Sequence, residues 1–283
     1  MPKARRSREP AQGALPQRVV LHASAGLAPL DDRAIARDLK RSAPALSALV
    51  RRGDLSEGVA GRTFLAALAS ARVRDVRLPD DFVAATAPDL DFEAAIDIAP
   101  AQVSSALLAG RLYDGGAVAA AAMLRLPAAE RTMETLHVWV TRRLLGTYSP
   151  GDWRYHARYA VFAYPVVVSL LGLGLAPAPS LEAALFAREL ARRGADAGAI
   201  EAELDLQYPE EKVDIDDRAT VSGAVASAVL QGASALSGRE AFCKEPACRL
   251  FNPHRKLEMR RSVLAGALCA KHRAFFGKGG PGA

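Results

Sequence analysis

The stretch Glu134–Tyr148, "ETLHVWVTRRLLGTY", is the most strand-like part of the chain. Leu136, Val138 and Val140 alternate with His137, Trp139 and Thr141. That period of two predicts a strand with one face more buried than the other. Upstream, "QRVVLHA" (Gln17–Ala23) is short, apolar and β-branched, and predicts a first strand. "PLDDRAIARDLKRS" predicts a helix capped by Asp31 or Asp32. "PALSALVRRG" predicts a second helix, entered at Pro44 and stopped at Gly53, and a third covers Glu57–Ala71. "VRDVRLP" (Val73–Pro79) and "EAAIDIA" (Glu93–Ala99) read as short strands. "AQVSSALLAGRLY" reads as a helix stopped by the Gly115–Gly116 pair. Further on, "RYHARYAVFAYPVVVSLLGLGL" ends in a buried strand. "SLEAALFARELARRG" is an amphipathic helix capped by Ser180 and ended by Gly194, with Leu181, Leu185 and Leu190 on one face. Ala219–Leu236 predicts a helix of small residues on which other elements can pack closely. Strands interleaved with helices predict an α/β or α+β fold, a mixed sheet packed with helices.

Composition sets the frame. Of 283 residues, 50% are hydrophobic and 24% charged, an ordinary globular balance with surface enough to bury a core. Residues 1–17 are basic, contain Pro and Gly and have no apolar period, and read as a disordered tail. A single α/β domain is expected over 18–276, with a subdivision near 132 allowed, and a flexible tail over 277–283. No apolar stretch follows the basic start, so no secretory leader is expected. Three cysteines, an odd number, argue against a disulfide framework and for a reduced, cytoplasmic setting. The uncharged stretch Tyr159–Leu181 is long enough to span a bilayer. Pro165, Gly172, Gly174, Pro177 and Pro179 break it, so it reads as a buried strand and turn, with no membrane association.

All three cysteines lie in one run, "FCKEPACRLFNPHRKLEMRRSVLAGALCAKH" (Phe242–His272). The spacing Cys243-x4-Cys248-x20-Cys269-x2-His272 offers three thiols and an imidazole, the donors zinc takes in a tetrahedron. Pro246 bends the first turn, and a helix within 254–268 must fold back to bring the second pair to the first. His254 is an alternative fourth ligand, or a partner that hydrogen-bonds one. Four protein ligands leave no open position, so a zinc held over 242–273 is expected to be structural. Lys244, Arg249, Arg255, Lys256, Arg260, Arg261, Lys271 and Arg273 surround the site. They read first as a solvated basic face and second as a nucleic-acid surface.

"LHVWVTRRLLGTYSPGDWRYHARYAVFAYPVVVSL", "YPEEKVDIDD" and "FCKEPACRLFNPHRKLE…LCAKH" together resemble a poorly characterised metallopeptidase family, itself distantly similar to the archaemetzincins. The resemblance covers roughly Glu134–Phe276 and implies a metzincin-like sheet. Archaemetzincins follow a "VVSL" strand and a helix with His-Glu-x-x-His-x-x-Gly-x-x-His, then Cys-x4-Cys and a later Cys-x2-Cys. Here "VVVSL" (166–170) and the cysteine spacing are similar, with His272 in place of the last cysteine. The helix that would carry catalytic ligands, "TVSGAVASAVLQGASALSGREAF", has no histidine, and its one glutamate is Glu240. Two metal-binding histidines one turn apart with a neighbouring glutamate base are what zincin hydrolysis needs. His137, His156, Glu134 and Asp152 show no ligand spacing, so the histidines read as core-edge or hydrogen-bonded groups. "GLGLAP" lacks a dinucleotide site's spacing, and "DIDD" (214–217) reads as the cap of the next helix. The sequence thus points to a zinc-binding protein without zincin catalysis, with an unknown protein or peptide partner. Its alternatives are a metallohydrolase with a non-standard site and a nucleic-acid-associated zinc protein.

Overall fold

The expected strands Gln17–Ala23 and Glu134–Tyr148 turn out to be neighbours, hydrogen-bonded in parallel with Val20 opposite His137. The computed structural model describes residues 14–23, 27, 30–52, 58–99, 102–264 and 267–277. The expected tails therefore lie almost wholly outside the described residues. Strands β1 (Arg18–Ala23), β2 (Ser47–Arg52), β4 (Thr135–Thr141), β7 (Ala160–Val161) and β8 (Val166–Ser169) form one sheet in the order β2-β1-β4-β8-β7. The first four are parallel, and β7 closes the edge antiparallel to β8. A second sheet, β3-β5-β6, is built from Leu112–Asp114, Leu144–Ser149 and Arg154–Arg158. The architecture is mixed α/β, as expected.

Strand β4 is buried on both faces rather than one. Leu136, Val138 and Val140 join Val19, Leu21, Val166 and Val168 against helix α9 (Arg218–Leu236). On the other side, Trp139 and Val167 pack with Phe64 and Leu68 of α2 (Gly58–Ala69) and Val118 of α5 (Gly115–Met123). A parallel strand inside a sheet is covered on both faces, so its alternation marks two different neighbours rather than core and solvent. Helix α9 approaches the sheet closely because its residues are small. A Cβ on Gly232 would lie 2.7 Å from Val166 Cγ2. Among the described residues α9 alone is long and apolar enough to cross a membrane, and 72% of that window is buried inside the fold. It is a core helix here. The uncharged stretch Tyr159–Leu181 breaks into β7, β8 and the short α6 (Leu170–Leu175).

Helix α1 (Asp32–Ser42) forms as expected, with Asp31 accepting from the Ala34 N–H. Several other expectations fail for identifiable reasons. The helix expected from Pro44 to Gly53 is strand β2, because ten residues of helical pattern yield to a free edge on β1. Val73–Pro79 is a run of turns with a single bridge, Val73 to Phe82. The strand expected at Glu93–Ala99 belongs to helix α3 (Ala87–Ile98), whose Thr86–Asp89 capping box and early Pro88 are helix-start signals. The segment before Gly115 is a short helix α4 (Ser105–Ala109) followed by β3. Gly115 starts α5 rather than stopping a helix. Asp114 caps that helix through the Ala117 N–H, and Val161 lies where a Gly115 side chain would be. Helix α7 (Leu181–Arg192) is capped by Ser180, and Gly194 takes positive φ just beyond its end, yet its Leu181 and Leu185 are exposed. It packs on α8 (Ala197–Gln207), and Phe186 meets Tyr208 just past that helix's end.

A buried ion network ties α3 to the two sheets. Arg143, in the turn from β4 to β5, is wholly buried. Its guanidinium reaches Glu93 Oε2 at 2.8 Å, Asp97 Oδ2 at 3.0 Å and Asp97 Oδ1 at 3.1 Å. Tyr113 of β3 donates to the other Glu93 oxygen at 2.8 Å. The two acidic residues that make "EAAIDIA" awkward as a strand are therefore the reason this helix docks.

Candidate metal centre

Helix α9 ends at Leu236, and the chain turns back along it carrying the cysteines. Cys243 is fixed by its N–H to Leu250 O at 2.8 Å, and Cys248 by its N–H to Glu245 O at 2.9 Å. The chain then forms α10 (Lys256–Met259) and a π-helical turn, Arg260–Leu264. The helix expected within 254–268 is thus shorter and changes type midway. Met259 and Val263 pack beside α9 in the core that also holds Cys248 and Leu250. The Arg249 N–H bonds Ala267 O at 2.8 Å, which lays the second half of the segment against the first. Cys269 immediately precedes α11 (Ala270–Gly277), and His272 sits in that helix's first turn.

This folding brings Cys243, Cys248, Cys269 and His272 together, with their ligand atoms all within 4.8 Å of one another. Cys243 Sγ and Cys269 Sγ are 3.9 Å apart, and Cys248 Sγ is 3.6 Å from His272 Nδ1. Tetrahedral zinc with its usual bond lengths would set these separations at about 3.8 Å and about 3.6 Å. Cys269 Sγ to His272 Nδ1 is shorter, at 3.1 Å. All three cysteines are free thiols. The donor chemistry and the spacing both fit a metal that takes soft tetrahedral ligands.

The protonation of the four ligands is uneven. Burial pushes the Cys248 thiol up to about 11. Burial acts the same way on Cys269, but the His272 backbone N–H and the bonds to Cys248 and Cys243 outweigh it and hold that thiol below its ordinary value. Burial, helped by Lys271 and Arg239, lowers His272, which favours the neutral ring a metal needs. Thiols must lose their protons on binding, so metal capture here releases protons.

His254 does not join the cluster; it is exposed. It lines a cleft of about 450 Å³ instead, together with His156, Phe162, Phe242 and the edge strand β7. His156 pairs with Asp152 at 2.8 Å. His137 lies on the other sheet, its Nε2 3.0 Å from Glu130 O, while Glu134 serves through its backbone carbonyl, which accepts from Arg18. Those four residues thus fall into two groups on different sheets, Glu134 with His137 at β4 and Asp152 with His156 at β6. Among the described residues the Cys3His cluster is the sole group of three or more His, Cys, Asp or Glu whose ligand atoms converge this way. The Asp214–Asp217 turn works as a cap, Asp217 Oδ2 accepting from the Thr220 N–H at 2.7 Å. Of the eight basic residues around the site only one leaves the solvated surface. Arg249 is buried, whereas Arg255 and Arg260 stay exposed while donating to the carbonyls of Pro179 and Pro209.

One pairing had no signal in the sequence. His22 Nε2 lies 2.9 Å from His137 Nδ1, across β1 and β4, with the rings stacked. Burial, His137 and Arg51 push His22 down to about 4, and burial likewise lowers His137. An imidazole depressed in the folded state binds its proton more readily when unfolded. Its stabilising effect is therefore complete above about pH 6.5 and is lost as pH falls towards 4. For His22 the loss should approach about 3 kcal/mol. Urea unfolding at pH 7.0, 5.5 and 4.5 should show stability falling more steeply in the wild type than in His22→Asn. Equal slopes would exclude His22 as the titrating group.

The chain belongs to the Probable metallopeptidase family (DUF6775), whose family model matches residues 15–279. No curated protein and no solved structure gives a significant match.

Proposed function

We propose that this member of a probable metallopeptidase family is a zinc-stapled binding protein. In this reading Cys243, Cys248, Cys269 and His272 hold one structural zinc, and the cleft beside β7 receives an extended segment of a partner protein. The observation that carries the zinc assignment is the convergence of three thiols and one imidazole at tetrahedral spacings. Four protein ligands fill the shell and leave zinc no position for water, so its contribution would be stability rather than Lewis-acid chemistry. The cytoplasm, or another reducing compartment, suits such a site because it keeps the thiols available.

The staple and the cleft share a wall. Phe242 directly precedes Cys243, and Asn252, Pro253 and His254 follow Cys248 closely, and all four line the cleft. Opposite them stand Ala160 and Val161 of β7, the edge strand of the main sheet. An edge strand presents unpaired backbone groups to an extended peptide, and Phe162 and Phe242, stacked edge-to-face 5.3 Å apart, offer apolar contact. Kinship with archaemetzincins is part of the same proposal. The sequence keeps their cysteine spacing, while α9 carries no histidine with which to hold a second zinc.

Metal analysis tests this directly. The purified chain should contain one zinc per molecule, and incubation with a generic protein substrate should yield no chelator-sensitive cleavage. A second equivalent of tightly held metal, or peptide cleavage abolished by a chelator, would replace this reading with a working metallohydrolase.

A further inference from the structure

A second polar pocket, of about 350 Å³, opens between α1, the first turns of α9 and the π-helical turn at Leu264. Arg37 and Arg41, one helical turn apart on α1, stand at its mouth, and Arg249 forms its inner wall. Arg249 is locked in place. Its Nε donates to Ser227 Oγ at 2.7 Å, and its Nη2 lies 2.9 Å from Gly223 O and 2.5 Å from Asp38 Oδ2. Asp38 also takes Arg41 at 3.0 Å. Its carboxyl is held below the ordinary range by these two arginines, against the opposing effect of burial, and so stays charged. Three guanidinium groups against one carboxylate leave the pocket with an excess of two positive charges.

Ser222 supplies the independent observation. It lines the same pocket, is only 5% exposed, and its Oγ has no hydrogen-bond partner. The other serines of this region each find a carbonyl: Ser227 bonds Val263 O, Ser234 bonds Glu240 O and Ser237 bonds Ala233 O. A buried hydroxyl without a partner is destabilising, and such groups are rare unless something else completes them.

We propose that this pocket binds a phosphoryl group, free phosphate or a phosphate monoester. Such a group carries a charge near −2 at neutral pH, which matches the excess, and has several oxygens to share among guanidinium donors and the Ser222 hydroxyl. A carboxylate would leave one positive charge uncompensated. The site is separate from the zinc centre and does not depend on the peptide-cleft reading.

Calorimetric titration of the zinc-loaded chain with inorganic phosphate, at constant ionic strength, tests the assignment. Binding should weaken about tenfold in R37Q and again in R41Q, as expected for losing one charge-assisted hydrogen bond each. S222A should weaken it by a smaller factor. Arg37 and Arg41 are exposed, so zinc content and unliganded melting temperature should stay at wild-type values and exclude misfolding as the cause. O-phosphoserine titrated in parallel separates the two sources: tighter binding than phosphate indicates a monoester, equal or weaker binding free phosphate. No heat with phosphate, unchanged affinity in the R37Q/R41Q variant, or acetate binding as tightly as phosphate would overturn the proposal.

Discussion

Replacing Cys248 by alanine should destabilise the protein by more than about 4 kcal/mol, the scale at which loss of a metal site becomes the diagnosis. Cys248 is 1% exposed and shares its core with Leu250, Met259, Val263 and Phe276, so the segment it anchors packs against α9. Apparent zinc-binding free energies in small structural sites run to about 10–16 kcal/mol, and removing one of four ligands forfeits much of that. A buried cysteine can also act simply as a small hydrophobe. Cys248→Val separates the two roles, because it keeps the volume and apolar character and removes the ligand. Urea unfolding with parallel zinc analysis should show Cys248→Ala and Cys248→Val both zinc-deficient and both strongly destabilised. A chelator should lower the melting temperature of the wild type and leave the variants unmoved. A Cys248→Val chain as stable as the wild type would make this cysteine a packing residue and remove the staple.

The cluster was legible because its chemistry is local. Cys-x4-Cys and Cys-x2-His each place two ligands within a turn or so, and no other cysteines compete for the metal. What no spacing could show was how the two pairs meet, since that depends on the π-helical turn and the Arg249–Ala267 bond. Strands β1 and β8 were readable as short apolar, β-branched runs, and β4 from its alternation, whose two sets of residues face different covering helices. Strand β2 was not, because its conformation comes from the edge it joins rather than from its own residues. Helix α3 was misread for the opposite reason. Its capping box is a local signal, but Thr86 and Asp89 stand ahead of the Glu93–Ala99 stretch that by itself reads as a strand. The basic residues of the C-terminal segment show the same limit. Composition makes Arg249 one charge among eight, and only the fold turns it inward onto Asp38 and Ser227.

Arg143→Met should cost about 3–5 kcal/mol, because it leaves buried carboxylates without their cation. Glu93 and Arg143 are both fully buried, and Asp97 is nearly so, which puts little water within reach to replace the lost bonds. The loss would not stay local. Glu93 also accepts from Tyr113, whose phenol is pushed well above its ordinary value by burial and by the Glu93 charge and so stays a neutral donor. Arg143 O accepts from Ser169 Oγ at 2.6 Å, and Ser169 caps α6 behind strand β8. The Arg143 side chain thus connects α3, through Glu93 and Asp97, to Thr141 of β4 and, by way of Glu93, to Tyr113 of β3. The Ser169 bond is to its backbone carbonyl and survives the substitution. The same reasoning sets a control. A buried ion network stabilises little relative to neutral groups of similar shape, so the damage comes from leaving charges unpaired. Neutralising both acids as well, in Glu93→Gln/Asp97→Asn/Arg143→Met, should recover a large part of the loss in urea unfolding. If the triple variant is no more stable than Arg143→Met alone, the arginine acts through its packing on Trp139, 5.7 Å from the ring, and not through its charge.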